Sequence, residues 1–418
     1  MQTHLADFIK DTPSGQIAES ILRKCVHCGF CTATCPTYQL LGDELDGPRG
    51  RIYLMKQVLE GMPATSLTQT HLDRCLTCRS CETTCPSGVE YGRLIDIGRT
   101  IVNQQVPRPY FARLQRWALT TILPNPRLFN SLLALGHLLR SIIPKVFDDL
   151  IPAPPPPSRD WPTTTHQRRL LMLEGCVQPS LSPATQVAAS RVLDRLGYQV
   201  IRTPQAGCCG AVALHLDHHS SAQAAARRNI DAWWPHIQEG VIAISWTASG
   251  CGVMVSDYAQ LLADDPQYAT KAAQVSALAC DISKLIDNEK DKLNQILKIN
   301  RPQGLWAFHP PCTLQHGLKH KGQVELLLST LGFQLTPVAN SHLCCGSAGT
   351  YSILQPDIAE TLKTNKIAAL TAGQPNQIIT ANIGCQMHLQ SATNLPVRHW
   401  IEAIDDCLSA TSSKASQP

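Results

Sequence analysis

The sequence predicts an α+β multidomain protein, in which a small, mostly helical domain precedes two duplicated α/β lobes. Three observations support this prediction: a cysteine pattern that occurs twice near the start, a proline-rich stretch after it, and a second half that repeats its strands, helices and cysteines. We therefore expect five parts: a helical domain at 1–105, a helical segment and linker at 106–160, a first lobe with a helical insertion at 161–299, a second lobe at 300–408, and a flexible tail at 409–418.

The composition is that of a globular protein. The chain has 418 residues, of which 44% are hydrophobic and 16% are charged, and this length allows two or three domains. The opening residues, MQTHLADFIKDTPSG, contain no apolar run and no cleavage site for export, so we expect a cytoplasmic protein. In a reducing cytosol, clustered cysteines are more often metal ligands than disulfides. Lysines and arginines are scattered, which argues against a nucleic-acid partner.

The first domain contains one cysteine motif twice. KCVHCGFCTATCP (24–36) and RCLTCRSCETTCP (74–86) both have the spacing Cys-x2-Cys-x2-Cys-x3-Cys-Pro. This spacing is typical of two-cluster ferredoxins, in which the fourth cysteine of each motif binds the other [4Fe–4S] cluster. We therefore expect one cluster on Cys25, Cys28, Cys31 and Cys85, and a second on Cys75, Cys78, Cys81 and Cys35. A pair of zinc sites fits less well, since zinc favours two separated Cys-x2-Cys pairs.

Helices and a turn are expected around these motifs. GRIYLMKQVLEG (Gly50–Gly61) lies between them, VEYGRLIDIGRTIVNQ (89–104) follows the second, and both read as helices. DGPRGR (Asp46–Arg51) also lies between the motifs, and its arginines have two interpretations. Arg49 and Arg51 could direct positive charge at a cluster and raise its reduction potential, or could lie on a solvated turn, which we favour.

The connecting segment contains an apolar helix and a stiff spacer. LFNSLLALGHLLRSII (Leu128–Ile143) is the most apolar stretch, but sixteen residues are too few to span a bilayer. It is either a core helix that bridges domains, which we favour, or an interfacial helix that lies on a membrane. IPAPPPPS (Ile151–Ser158) is predicted to be a polyproline linker.

The second half of the chain is an internal repeat. In both units 32 residues separate the first cysteine from a Cys-Cys-Gly sequence, from Cys176 to Cys208 and from Cys312 to Cys344. Each unit alternates short β-branched strands with helices, which predicts a parallel sheet with its cysteines near the carboxyl ends of the strands. Residues 256–300, between the units, are expected to be an added helical segment.

Each repeat offers four thiolates that could bind one or two metal ions. The candidate ligands are Cys176, Cys208, Cys209 and Cys251 in the first unit, and Cys312, Cys344, Cys345 and Cys385 in the second, with His388 as a possible additional ligand. The first unit has Met254 where the second has His388, so the two sites need not bind the same species. His309, in HPPC, could support a metal site or carry protons, or could be a structural histidine. Cys280 and Cys407 fit free buried cysteines.

A two-cluster ferredoxin domain followed by two CCG cysteine-rich repeats resembles a known family. That family includes heterodisulfide reductase subunits and the C subunit of anaerobic glycerol-3-phosphate dehydrogenase. Within it, CVHCGFCTATCPTYQLLGDELDGPRGRIYLMK and LCCGSAGTYSILQP are most similar to the iron–sulfur subunits of glycolate oxidases.

The resemblance implies an electron-transfer subunit of an oxidoreductase complex. A partner with FAD would oxidise glycolate to glyoxylate, and this chain would pass the electrons towards a quinone or another acceptor, at the inner face of the cell membrane. The resemblance also implies a further iron–sulfur cluster, of noncubane type, or zinc at the CCG repeats. Relatives with the noncubane cluster carry a further cysteine where this chain has Met254 and His388, and this departure weakens that implication.

Other functions remain open from the sequence. The chain has no G-x-G-x-x-G after a strand, so flavin or nicotinamide chemistry is expected on a partner, and no catalytic residue is expected here. The alternatives are a subunit that acts on thiols and disulfides, an iron–sulfur subunit of a glycerol-3-phosphate or D-lactate dehydrogenase, and a zinc-bound docking module with sensory clusters.

Overall fold

The computed structural model describes residues 1–140 and 152–414. Up to residue 105 the chain is helical, as predicted, and its helices pack around a core that includes Ile21, Met55 and Leu94. Two 3₁₀ segments, Phe30–Thr34 and Glu44–Asp46, connect them. The α-helices are α1 (Pro13–Lys24), α2 (Pro36–Leu41), α3 (Pro48–Leu59), α4 (Ser66–Asp73), α5 (Ser80–Thr84) and α6 (Tyr91–Gln105). The first three begin at proline, which lacks the N–H that a first helical turn leaves unpaired.

Two further helices, α7 (Tyr110–Ile122) and α8 (Pro126–Leu139), form the connecting segment. The predicted apolar helix corresponds to α8, and its expected last residues, 141–143, lie outside the described residues. No residue of α7 or α8 is buried. The expectation of a core helix is therefore wrong, because the described residues cover its apolar side only in part and leave Leu132, Leu135 and Leu138 exposed. Among the described residues, no helix is both long and apolar enough to cross a membrane.

The first lobe is a three-stranded parallel sheet with flanking helices. Its strands are β1 (Arg168–Leu173), β2 (Tyr198–Ile201) and β3 (Ala243–Trp246), in the order β2-β1-β3. Its helices are α9 (Gln178–Leu181), α10 (Pro183–Arg195), α11 (Ala211–His215), α12 (His219–Gln238) and α13 (Ser249–Ser256). The expected added helical segment follows as α14 (Tyr258–Leu261), α15 (Ala269–Leu278), α16 (Ile282–Asp287) and α17 (Lys290–Leu297).

The second lobe repeats this arrangement and adds an edge strand. Its parallel strands are β4 (Leu305–His309), β5 (Gln334–Leu335), β6 (Gln377–Thr380) and β7 (Val397–His399), in the order β5-β4-β6-β7. Its helices are α18 (Gln323–Thr330), α19 (Tyr351–Leu354), α20 (Pro356–Thr371), α21 (Ile383–Gln390) and α22 (Trp400–Lys414), and a π-helical turn covers Thr313–Gly317. The predicted pair of α/β lobes with parallel sheets is confirmed.

The two lobes share one hydrophobic core, which includes Leu170 and Val192 of the first and Trp306 and Ile404 of the second. Helix α22 also returns across the first lobe, where the Thr185 hydroxyl donates to Glu402 at 2.5 Å. The helical domain contacts both lobes. The Thr100 hydroxyl donates to Asp217 of the first lobe at 2.6 Å, and the Tyr351 hydroxyl of the second donates to the Arg74 carbonyl at 2.9 Å.

Candidate metal centres

The two cysteine motifs of the helical domain fold into matching loops. His27 and Gly29 have φ of 55° and 84°, and the residues at the same places in the second motif, Thr77 and Arg79, have φ of 53° and 60°. Residues other than glycine seldom adopt positive φ, and such backbone persists where its surroundings require it. Both loops therefore turn their three closely spaced cysteines in the same way.

Four cysteines lie together near the surface, and we call Cys25, Cys28, Cys31 and Cys85 the first ferredoxin group. Burial, together with the neighbouring Cys25, Cys28 and Cys85 thiols, raises the pKa of Cys31 to about 11. The four cysteines line one hollow, and Cys28 is exposed to solvent. A hollow lined by four mutually close thiols fits the ligand set of a [4Fe–4S] cluster.

Four other cysteines form a deeper set, and we call Cys75, Cys78, Cys81 and Cys35 the second ferredoxin group. Burial raises the pKa of Cys81 well above its usual range, and Cys78, Cys75 and Cys35 raise it further. The Cys75 sulfur accepts from the Tyr91 hydroxyl at 3.6 Å and from the Thr77 N–H at 3.4 Å. The structure thus brings together the cysteines assigned to each cluster, while the ligation itself stays a prediction.

The crossing of the fourth cysteines follows from how two short segments pack. The 3₁₀ segment Phe30–Thr34 ends at Cys35, and α5 ends at Cys85. The segments lie against each other, and the Thr84 hydroxyl donates to the Thr34 hydroxyl at 3.1 Å. Each fourth cysteine is thereby carried towards the three cysteines of the other motif.

A buried ion-pair network supports the second ferredoxin group. Arg51 is only 1% exposed, and its guanidinium lies 3.4 Å from the buried Asp46 carboxylate. Asp46 also contacts His71 at 3.0 Å and Arg74 at 2.8 Å. Burial alone would lower the pKa of Arg51, but Cys75 and other neighbours, including Asp46, raise it. The preferred interpretation of Arg51 as a solvated turn residue is therefore wrong, whereas Arg49 is partly exposed and pairs with Glu44 at 2.7 Å.

The cysteines of the first repeat form a chain of neighbouring sulfurs, and we call Cys176, Cys208, Cys209 and Cys251 the first CCG group. Hydrogen bonds from Cys176 and Cys209 lower the pKa of Cys208 well below its usual range, and the hydrogen bond with Cys208 raises the pKa of Cys176. A further hydrogen bond joins Cys209 to Cys251. Two of the four follow strands β1 and β3, as predicted for the carboxyl edge of the sheet.

The second repeat brings together an equivalent set, and we call Cys312, Cys344, Cys345 and Cys385 the second CCG group. Neighbouring thiols shift one another's pKa along this set, Cys312 with Cys344, Cys344 with Cys345 and Cys345 with Cys385. A ring nitrogen of the fully buried His309 and the sulfurs of Cys345 and Cys385 all lie within 4.8 Å of one another. His388 lies on α21, one turn after Cys385, but outside this set of three.

The second CCG group adjoins the second ferredoxin group. After burial, the strongest influence that raises the pKa of Cys78 is Cys312, and Leu76, Cys344 and Tyr351 share one hydrophobic cluster with Cys312. The two ferredoxin groups can hold redox centres in a row from the surface inwards, and the second CCG group adjoins the inner of the two. Cys280 and Cys407 stand apart from the four groups, and burial raises the pKa of both.

Comparison with known proteins identifies these domains. The family model for a 4Fe-4S dicluster domain matches residues 21–89, and the model for a cysteine-rich domain matches residues 170–256 and 306–390. The cysteines of the two ferredoxin groups lie within the matched 4Fe-4S dicluster domain, and those of the two CCG groups lie within the matched cysteine-rich domains.

Three relatives give the wider context. The chain is 55% identical to the glycolate oxidase iron–sulfur subunit of Escherichia coli K12 over 408 residues, which cover 98% of this chain and 99% of that protein. It is 29% identical to the probable glycolate oxidase iron–sulfur subunit of Bacillus subtilis 168, with 89% of both chains covered. Lactate utilization protein A of Shouchella clausii is 23% identical and matches 55% of this chain and 95% of its own length. The chain belongs to the family of glycolate oxidase iron–sulfur subunits, which the sequence resemblance had indicated.

Proposed function

We propose that this chain is the electron-transfer subunit of a glycolate oxidase complex. Similarity over nearly the whole length to a glycolate oxidase iron–sulfur subunit carries this proposal. Such a name implies a complex with other subunits. We infer that a FAD-binding partner oxidises glycolate to glyoxylate, and that this chain relays the electrons to a quinone or another acceptor.

The placement of the ferredoxin groups supports a relay. A reduced flavin can give up its electrons one at a time to carriers that accept one each, and [4Fe–4S] clusters are such carriers. The first ferredoxin group is open to solvent at Cys28, and the apolar side chains of Val26 and Phe30 beside it are exposed. An exposed cluster with an apolar rim suits a docking partner, whereas the second ferredoxin group lies inside, against the second lobe.

The proposal predicts that glycolate bleaches the iron–sulfur absorbance. The complex, purified anaerobically with its natural partners, should lose visible absorbance on addition of glycolate, because the flavin would reduce the clusters. D-Lactate and glycerol-3-phosphate serve as comparison donors. Bleaching by glycerol-3-phosphate alone would indicate that the chain is instead the iron–sulfur subunit of a glycerol-3-phosphate dehydrogenase. If no donor bleaches a sample with intact flavin and clusters, the relay proposal fails.

A second candidate is a subunit that acts on disulfides, and one observation favours it. The second CCG group lies next to Cys78 of the second ferredoxin group, where it could receive electrons for a thiol or disulfide substrate. Addition of a disulfide to the reduced complex separates the two candidates. Reoxidation of the clusters and a change in an additional EPR signal would favour this second function.

We also propose that the chain lies on the inner face of the cell membrane, through α7 and α8. Eight large apolar side chains of these helices are exposed: Tyr110, Phe111, Leu114, Trp117, Leu132, Leu135, Leu138 and Leu139. From Ile97 to Arg140 the sequence has six arginines and no acidic residue, and Arg113 and Arg127 are exposed. Helices with an aromatic and leucine-rich side and nearby arginines bind anionic bilayer surfaces, where each basic residue contributes about 1 kcal/mol.

Vesicle flotation tests this attachment. The full chain should float with vesicles that contain phosphatidylglycerol, and weakly with phosphatidylcholine alone. Leu138→Glu should reduce binding about tenfold or more, since burial of a leucine contributes about 1.5–3 kcal/mol. Leu326→Glu is the matched control, since Leu326 is 68% exposed and Leu138 75% exposed. Equal binding of the two variants, or a dimer that Leu138→Glu dissociates, would contradict a lipid-binding surface.

A further inference from the structure

The imidazole of His309 has no hydrogen-bond partner in the part of the chain that the structure describes. His309 ends strand β4 and is 0% exposed, yet neither Nδ1 nor Nε2 has a partner. Burial of an unpaired polar group is unfavourable, so buried polar groups are nearly always hydrogen-bonded. An unpaired imidazole in a packed interior therefore points to a ligand that would occupy one of its nitrogens.

The surroundings of His309 are those of a metal ligand. One ring nitrogen lies within 4.8 Å of the sulfurs of Cys345 and Cys385, which are themselves buried and mutually close. The backbone fixes the residue, since His309 pairs with Thr380 in the ladder of β4 and β6, and the Thr380 hydroxyl donates to the His309 carbonyl at 2.9 Å. Such supporting contacts orient metal-binding histidines.

We propose that the second CCG group binds a single zinc ion through His309, Cys345 and Cys385. A thiolate of Cys312 or Cys344 would take the fourth position; both lie outside this set of three but next to it, since Cys344 neighbours Cys345 and Cys312 neighbours Cys344. A set of one imidazole and three thiolates is an established structural zinc combination, whereas cubane [4Fe–4S] clusters are usually held by thiolates alone. The proposal thus decides between zinc and an iron–sulfur cluster for this repeat and adds a ligand outside its cysteines.

Charge near the site agrees with this assignment. Zinc with three thiolates and a neutral imidazole carries one net negative charge. The buried Lys366 lies among the same cysteines, and its ammonium donates to the Asn340 carbonyl at 2.8 Å. A buried ammonium next to an anionic centre offsets the charge that burial would otherwise penalise.

Among the described residues, no imidazole is grouped with the cysteines of the first CCG group as His309 is with those of the second. The residue three positions before Cys176 is Leu173, whereas His309 stands three positions before Cys312. The first site is therefore an all-thiolate set, and the two repeats would hold different species. Since zinc has no redox chemistry, the second site would fix the loops that face Cys78 and would not store an electron.

Metal analysis and zinc-edge X-ray absorption of the full chain test this proposal. We expect one zinc ion per chain beside the iron of the two clusters, and an imidazole contribution to the zinc spectrum. His309→Leu, which copies Leu173 of the first lobe, should lower zinc retention against a chelator by more than the roughly 10–100-fold typical of a lost supporting residue. Its iron content and EPR signals should persist. His309→Cys should retain zinc without the imidazole contribution.

His399→Leu is the matched control, because His399 is also buried and has an unpartnered Nε2, on strand β7 of the same sheet. It should retain zinc. Four results would overturn the proposal. The zinc spectrum could show sulfur ligands alone, or an imidazole signal that His388→Gln removes. His309→Leu could remove additional iron, or His399→Leu could lose as much zinc as His309→Leu.

Discussion

A Cys85→Ser variant is expected to lose or alter the same reduced cluster as a Cys28→Ser variant, although the two residues belong to different motifs. Both belong to the first ferredoxin group, in which the Cys28 and Cys85 thiols raise the pKa of the neighbouring Cys31. Reciprocally, Cys35→Ser should affect the cluster that Cys78→Ser affects, because Cys81 has both as neighbours. Each variant should lose about half of the ferredoxin-type iron, since two [4Fe–4S] clusters share the domain.

EPR of the dithionite-reduced variants measures this outcome. Cys280→Ser and Cys407→Ser serve as controls, because both cysteines lie apart from the four groups, and both variants should keep the two signals. If Cys85→Ser instead affects the cluster that Cys78→Ser affects, each motif holds its own cluster and the crossed ligation is wrong.

The sequence predicted the cysteine groups well because short spacing constrains short loops. Two residues between cysteines leave few conformations that direct three sulfurs at one point, and a cysteine before proline starts a new helix, as at Pro36. The parallel sheets were also predictable, since strand and helix alternate in both repeats. The positive φ of His27, Thr77 and Arg79 was not, because none of the three is glycine.

Features that depend on residues far apart in the sequence could not be predicted from it. Arg51 stands in a glycine- and proline-rich stretch typical of a turn, and its burial requires His71 of α4, whose carbonyl accepts from the Arg51 Nε at 2.7 Å. His309 precedes Cys312 by three residues, but it is grouped in space with the sulfurs of Cys345 and Cys385, which are distant in sequence and are brought near by the fold. The apolar periodicity of α8 indicates an amphipathic helix, but it does not show what covers the apolar face.

An Arg51→Gln variant is expected to destabilise the helical domain and to lower the reduction potential of the second cluster. Loss of one partner from a buried ion pair costs about 3–5 kcal/mol, and the lower end applies because Arg74 keeps its contact with Asp46 at 2.8 Å. The potential should fall because an added electron is less stable without the guanidinium charge near Cys35 and Cys75. The rate of cluster loss in guanidinium chloride and an EPR-monitored redox titration measure the two effects.

Arg49→Gln separates the effect of burial from the loss of an arginine. Arg49 lies two positions earlier on the same helix, its side chain is 37% exposed, and it pairs with the similarly exposed Glu44. An exposed pair contributes about 0–1 kcal/mol, and Arg49 lines the hollow of the first ferredoxin group. Arg49→Gln should therefore leave the potential of the second cluster and the rate of cluster loss nearly unchanged. A charge held away from water acts strongly and selectively on its near neighbours, whereas an exposed charge is screened. If Arg49→Gln lowers the potential of the second cluster as much as Arg51→Gln does, or if Arg51→Gln shifts the potentials of both clusters equally, the buried guanidinium does not tune the second cluster.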